Sequence, residues 1–326
     1  MDRRRWHGAT ERDIALVEFT EELVGVGRLE DAARVAHASY ADESQNGDAL
    51  LALAKGYARA GRVDDARAAL TAASGSAAPK WRDRSEAEME TAVAAARAGR
   101  FAEADGIAHA IRSPRERARA LGELGAFLAA SGPAPEARPV FAEALGAATT
   151  VGTIEPLGHL ALIAARAGLV EETFAATNAL AAHEQTEVAG HDRFDPFANL
   201  AASDRRKLAE AARAARRTAL HDLATTLAKA GHLDGLERAL AAADHPHVAR
   251  DWQRDAAAEL ARGGYLVRAC SIVDTHEPDA FVQALASWLP SLERLEPGLA
   301  LAVIRDTTRI LGWVRGDWAE THAALA

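Results

Sequence analysis

Several things are scarce in this chain, and each scarcity excludes something. There is one cysteine, Cys270, so no internal disulfide framework can form, which fits a reducing compartment. Aromatic residues make up 5% of 326 residues, and methionine occurs twice. No stretch of eighteen uninterrupted apolar residues is present, and no Val/Ile/Thr-rich alternating run, so neither membrane spans nor β-strands are expected. There is no G-x-x-x-x-G-K-[ST] phosphate loop, no G-x-S-x-G elbow and no C-x-x-C pair. These absences remove positive grounds for an enzyme, and no cofactor or metal is expected. Basic residues are outnumbered, giving a net charge of −9, which makes the chain a poor general binder of nucleic acid. Met1 to Trp6 leads into charged Glu11-Arg12-Asp13 with no apolar signal core, and we expect a cytoplasmic protein.

What is present is alanine, arranged around a recurring step. Val26-Gly27-Arg28-Leu29-Glu30-Asp31-Ala32 is followed by Ala60-Gly61-Arg62-Val63-Asp64-Asp65-Ala66 and by Ala98-Gly99-Arg100-Phe101-Ala102-Glu103-Ala104. Weaker copies stand at Gly132, Gly168, Gly231 and Gly264, and the seven glycines are spaced by 34, 38, 33, 36, 63 and 33 residues. A period near 34 signals stacked helical hairpins. In each step the glycine can end a helix in the left-handed conformation. The cation beside it complements the helix C-terminus, and the carboxylates open the next helix. Leu50, Leu53, Ala54 and Tyr57 form one apolar helical face before Gly61; Ala66, Leu70 and Ala73 form another after it. The short turn requires the two helices to run antiparallel.

Leu50-x2-Leu53-x3-Tyr57-x3-Gly61-x4-Ala66-x3-Leu70-x2-Ala73 resembles a tetratricopeptide repeat, with leucine in place of the usual first tryptophan. Leu121-x2-Leu124-Gly125-x2-Leu128-x3-Gly132-x4-Ala137-x3-Phe141-x2-Ala144 is similar to that family's pattern at nearly every marked place. Leu16, Phe19, Leu23, Gly27 and Ala32 give a passable first copy. Leu220, Leu223, Ala224, Leu227, Gly231 and Leu240 keep the spacing, although Leu236 replaces a usual alanine; Leu260, Gly264 and Ala269 keep less of it. The resemblance covers roughly residues 12–275. It implies an all-α solenoid of about seven antiparallel hairpins in a single domain over residues 1–326. HEAT-type repeats remain an alternative for the degenerate copies.

Two places depart from the period. Between Gly168 and Gly231, either an extended hairpin carries a loop near 188–204 or a full repeat has lost its glycine; the extended hairpin is expected, with the irregularity near 183–217. Toward the carboxyl end, Pro278, Pro290 and Pro297 are read as bounding short helices of a cap over about 277–326, with Trp313 and Trp318 folding back over the last hairpin and Trp6 doing so at the other end.

Three clusters are candidates for chemistry. The first is a basic column. Arg59, Arg97, Arg166, Lys229 and Arg262 stand two residues before repeat glycines, and Lys55 lies one turn before Arg59. The family resemblance implies that the first helix of each hairpin lines a concave groove, where these cations would favour an acidic peptide or helix of a protein partner. The macrodipole alone also favours cations at these positions. The family's chaperone-binding carboxylate clamp is not expected, because no asparagine accompanies Lys55 and Arg59.

The second cluster is a stripe. At 100° per residue, Arg205, Arg206, Arg213, Arg216 and Arg217 share one helix face, suited to nucleic acid or another anion if it is more than a solvated surface. The third is His183-Glu184-Gln185-Thr186-Glu187 with His191, which lacks the second histidine of a zinc motif and reads as a polar helix end; His245-Pro246-His247 reads as a turn. Cys270 reads as a small buried hydrophobe. The leading expectation is therefore a non-enzymatic interaction scaffold or adaptor. The rivals are a sensor module using the stripe and an enzyme with its site in the groove.

Overall fold

The computed structural model describes residues 11–40, 47–74, 81–132, 134–189, 198–272 and 278–311. Among the described residues the chain is all-helical, with sixteen α-helices and no strand. No helix among them is long and apolar enough to cross a membrane. The chain divides into two compact units, Met1–Ile163 and Ala164–Ala326.

The first unit holds α1 (Glu11–Gly25), α2 (Leu29–Tyr40), α3 (Gly47–Arg59), α4 (Val63–Ser74), α5 (Trp81–Arg97), α6 (Phe101–Ala110), α7 (Pro114–Ser131) and α8 (Ala134–Val151). Helix α9 (Ile154–Arg166) runs across the division. The second unit holds α10 (Val170–Ala189), α11 (Ala198–Ala230), α12 (Leu233–Ala241), α13 (Pro246–Arg262), α14 (Leu266–Ile272), α15 (Pro278–Leu295) and α16 (Leu299–Leu311).

The recurring glycine builds the same turn each time. Gly61 has φ +74°, a conformation that L side chains rarely adopt. The Gly61 N–H donates to Ala58 at 2.9 Å and the Arg62 N–H donates to Tyr57 at 2.8 Å, the paired bonds that close a helix C-terminus. The Arg62 carbonyl then accepts from Ala66, so the residue that ends α3 also opens α4. Equivalent pairs of bonds form around Gly27, Gly99, Gly168, Gly231 and Gly264. Gly132 differs. Its backbone is extended (φ −157°), and the single bond from its N–H to Leu128 closes α7. Pro133 follows it; proline has no N–H to donate, so the second bond of the motif cannot form there.

Five residues after each of these seven glycines the side chain is fully buried: Ala32, Ala66, Ala104, Ala137, Thr173, Leu236 and Ala269. A small residue there lets neighbouring helices approach. Leu236 is the large exception; beside it stands Gly235, where an added methyl would lie 3.0 Å from Leu227 and 3.1 Å from Val170. The Thr173 hydroxyl is satisfied by donating to Leu169 at 2.7 Å.

In the first unit α3 packs on α1 and α5, and α5 on α7, while each also packs on the helix that follows it. The shared core runs through Leu50, Leu53, Ala54 and Tyr57 of α3 to Ala94, Ala95 and Ala96 of α5. In the second unit α11 packs on α10, α12 and α13, and α13 on α14 and α15. Between Gly168 and Gly231 stand two long helices, of 20 and 33 residues, that lie against each other.

Pro290 does not bound a helix: it lies inside α15. Leu285, Trp288 and Leu292 on the buried face flank it. Burial on both sides of the proline offsets its missing hydrogen bond. Trp6, Trp313 and Trp318 lie outside the described residues.

Candidate functional site

Arg59, Arg97, Arg166, Lys229 and Arg262 each occupy the last turn of a helix, and all five are exposed. They do not stand alone. In the first unit Lys55 lies 3.3 Å from Glu86 and Arg59 lies 3.2 Å from Glu90, both from α3 to the next helix of the stack, α5. Arg97 of α5 pulls the Glu123 carboxyl of α7 downward, but burial dominates and holds that carboxyl above its ordinary range. Glu123 also faces His159 of α9 at 3.7 Å. In the second unit Arg166 donates to Asp222 of α11 at 2.9 Å. Lys229 lies 3.9 Å from Glu259 of α13, which Arg262 of the same helix approaches to 2.5 Å.

The acids of these pairs were missed in the sequence, although a signal was there. Glu90, Glu123, Asp222 and Asp255 all stand nine residues before a repeat glycine. Arg59 and Arg166, each two residues before one glycine, pair with the acids nine residues before the next, Glu90 and Asp222. Asp255 instead takes His221, at 3.0 Å.

A second ladder links the turns. Arg62 donates to Asp65 in the first turn of α4 and, at 2.5 Å, to Glu30 at the start of α2. Arg100 repeats this with Asp64 at the start of α4, at 2.7 Å, and with Glu103 of α6. The Arg100 guanidinium holds the Asp64 carboxyl below its ordinary range. The basic residue after the glycine therefore reaches back to the preceding hairpin's first acid. In the second unit Arg238 of α12 joins Glu171 of α10 at 2.6 Å.

The stripe on α11 divides. Arg213, Arg216 and Arg217 line one cleft of about 690 Å³ with Glu184 and Gln185 of α10 and with Asp244 and His245, which precede α13. The Arg213 Nε donates to Glu184 at 3.1 Å, and a second nitrogen of that guanidinium contacts the same oxygen. The two oxygens of Asp244 take Arg216 at 3.4 Å and Arg217 at 3.2 Å. Arg206 is exposed and does not line this cleft. The side chain of Arg205 lies outside the described residues.

No protein-family model matches the chain, and no curated protein matches it. The functional reading therefore rests on the residues themselves. Among the described residues no group of three His, Cys, Asp or Glu side chains comes together as a metal site; His191 and the side chain of Glu187 lie outside them. His183 is half-buried on α10. The rings of His245 and His247 stack, with centroids 5.5 Å apart. Cys270 is half-buried, and burial pushes its thiol above the ordinary range, which disfavours the reactive thiolate.

Proposed function

We propose that this chain is a tetratricopeptide-like α-solenoid acting as a non-enzymatic interaction scaffold in the cytoplasm. In the first unit the face carrying Lys55, Arg59 and Arg97 receives a peptide or helix of a protein partner, and in the second unit the face carrying Arg166, Lys229 and Arg262 does so. The observation that supports this reading is the column itself: a cation stands two residues before five of the seven repeat glycines, and all five cations stay exposed. Arg59 is 58% exposed and Arg166 is 66% exposed. A guanidinium has five N–H donors. The pair with Glu90 uses one donor of Arg59, and the pair with Asp222 one of Arg166. An acidic partner side chain can therefore share each guanidinium with the acid already there. The neighbouring carboxylates repel segments that bring too many acids, so the face selects for spacing as well as for sign.

The test is capture from native lysate on wild type, on Arg59→Gln/Arg97→Gln and on Arg166→Gln/Lys229→Gln. Circular dichroism establishes that each variant is folded. The reading expects a protein retained by wild type and lost from at least one double variant. Equal retention by all three chains would remove this face as the docking site.

A further inference from the structure

We propose that the cleft between α10, α11 and the turn before α13 binds the phosphomonoester dianion of a small molecule, with Arg213, Arg216 and Arg217 as its donors. This goes beyond the scaffold reading and does not depend on it.

Three guanidiniums spaced at i, i+3 and i+4 on one helix edge repel one another. The cleft's lining meets them with two carboxylates, Glu184 and Asp244, leaving one positive charge unmatched. Glu210 also acts on Arg213, but it does not line the cleft. The carboxylates are the more enclosed members: Glu184 is 16% exposed and Asp244 is 22% exposed, against 45% for Arg213. Acids that are less exposed than the arginines orient guanidiniums whose remaining N–H groups are free to donate. Arg217 uses its Nε toward Asp244 and Arg216 one terminal nitrogen, so the other nitrogens of both remain as donors.

A phosphoryl group matches this set better than a carboxylate does. It has three acceptor oxygens and close to two negative charges, and arginine forks fit its geometry. The volume exceeds what a bare phosphate fills and lies in the range of small-ligand pockets. Gln185 supplies an amide donor and acceptor, and His245 a ring nitrogen, for the remainder of such a molecule. Among the described residues the only ring in the lining is that of His245, which already stacks on His247, so these residues offer no platform for successive nucleic-acid bases.

Calorimetric titration of the full chain with inorganic phosphate, glycerol phosphate and acetate at low salt tests the proposal. Saturable binding of both phosphates, stronger than of acetate, is expected. Arg216→Gln/Arg217→Gln should weaken it about tenfold or more, and Arg216→Lys, which keeps the charge and loses the fork, should weaken it by less. Thermal melts report whether each variant is folded; if the double variant is not, Arg213→Lys takes its place. No saturable phosphate binding at millimolar concentration, acetate binding as well as phosphate, or undiminished binding by a folded variant would each overturn it.

Discussion

Arg59 and Glu90 lie 31 residues apart in sequence and 3.2 Å apart in space. They join the last turn of α3 to α5, the next helix packed on it. The pair ties α3 to α5 across their contact. Its strength is limited by solvent, because Arg59 is 58% exposed and Glu90 is 25% exposed. A double-mutant cycle with Arg59→Ala and Glu90→Ala, read by urea unfolding, should give a coupling of about 0.2–1 kcal/mol that shrinks as salt is added. A coupling indistinguishable from zero at low salt would show that the pair is incidental to packing.

The left-handed glycines can be separated from the merely helical ones. Gly61 has φ +74°, so Gly61→Ala should destabilise by about 1–2 kcal/mol. Gly106 sits inside α6 with open space around it, so Gly106→Ala should stabilise by about 0.5–1 kcal/mol. Thermal melts of the two variants that shifted in the same direction would contradict the assignment.

Gly125 allows α7 and α8 to meet closely. A methyl at Gly125 would lie 2.6 Å from a ring carbon of Phe141. Gly125→Ala should cost about 1–3 kcal/mol through overpacking, and Phe141→Leu in the same chain should restore part of it. Additive losses in the double variant would place the strain elsewhere.

His109 gives the first unit a pH-dependent contribution. Its ring is held above its ordinary pKa of 6.5, first by a hydrogen bond with the Asp105 carbonyl and then by Asp105 and Glu143. A raised histidine pKa adds stability that is fully present below the unfolded value and is lost as pH rises through the folded one. Stability should therefore fall on raising the pH from about 6.5, and His109→Gln should flatten that fall. Superimposable stability profiles for wild type and variant would exclude His109 as a source.

The helical character of the chain was legible because it rests on local rules. A left-handed turn selects glycine, the next helix opens with carboxylates, and the buried position five residues later selects a small side chain. Pairing across repeats was less legible. The cations near the glycines are easy to see, whereas their partners sit one repeat later, and only the helix register brings Arg59 to Glu90 or Arg166 to Asp222. The stripe shows the same limit. A rotation of 100° per residue groups Arg213, Arg216 and Arg217, but Glu184 and Asp244 come from other elements, and nothing in α11 alone separates these arginines from Arg206. Local propensity also misled at Pro290, where buried neighbours carry the helix through a proline.

The central claim is that a partner lies on the first-helix face of the repeats. It is tested most directly by placing a photo-crosslinking residue at Arg59 or at Arg97, both exposed on that face, and at the exposed Thr71 of α4 as a control. After irradiation in native lysate, the account predicts one protein joined to the chain from positions 59 and 97 and absent from position 71. Crosslinks to that protein from position 71, with none from 59 or 97, would contradict it.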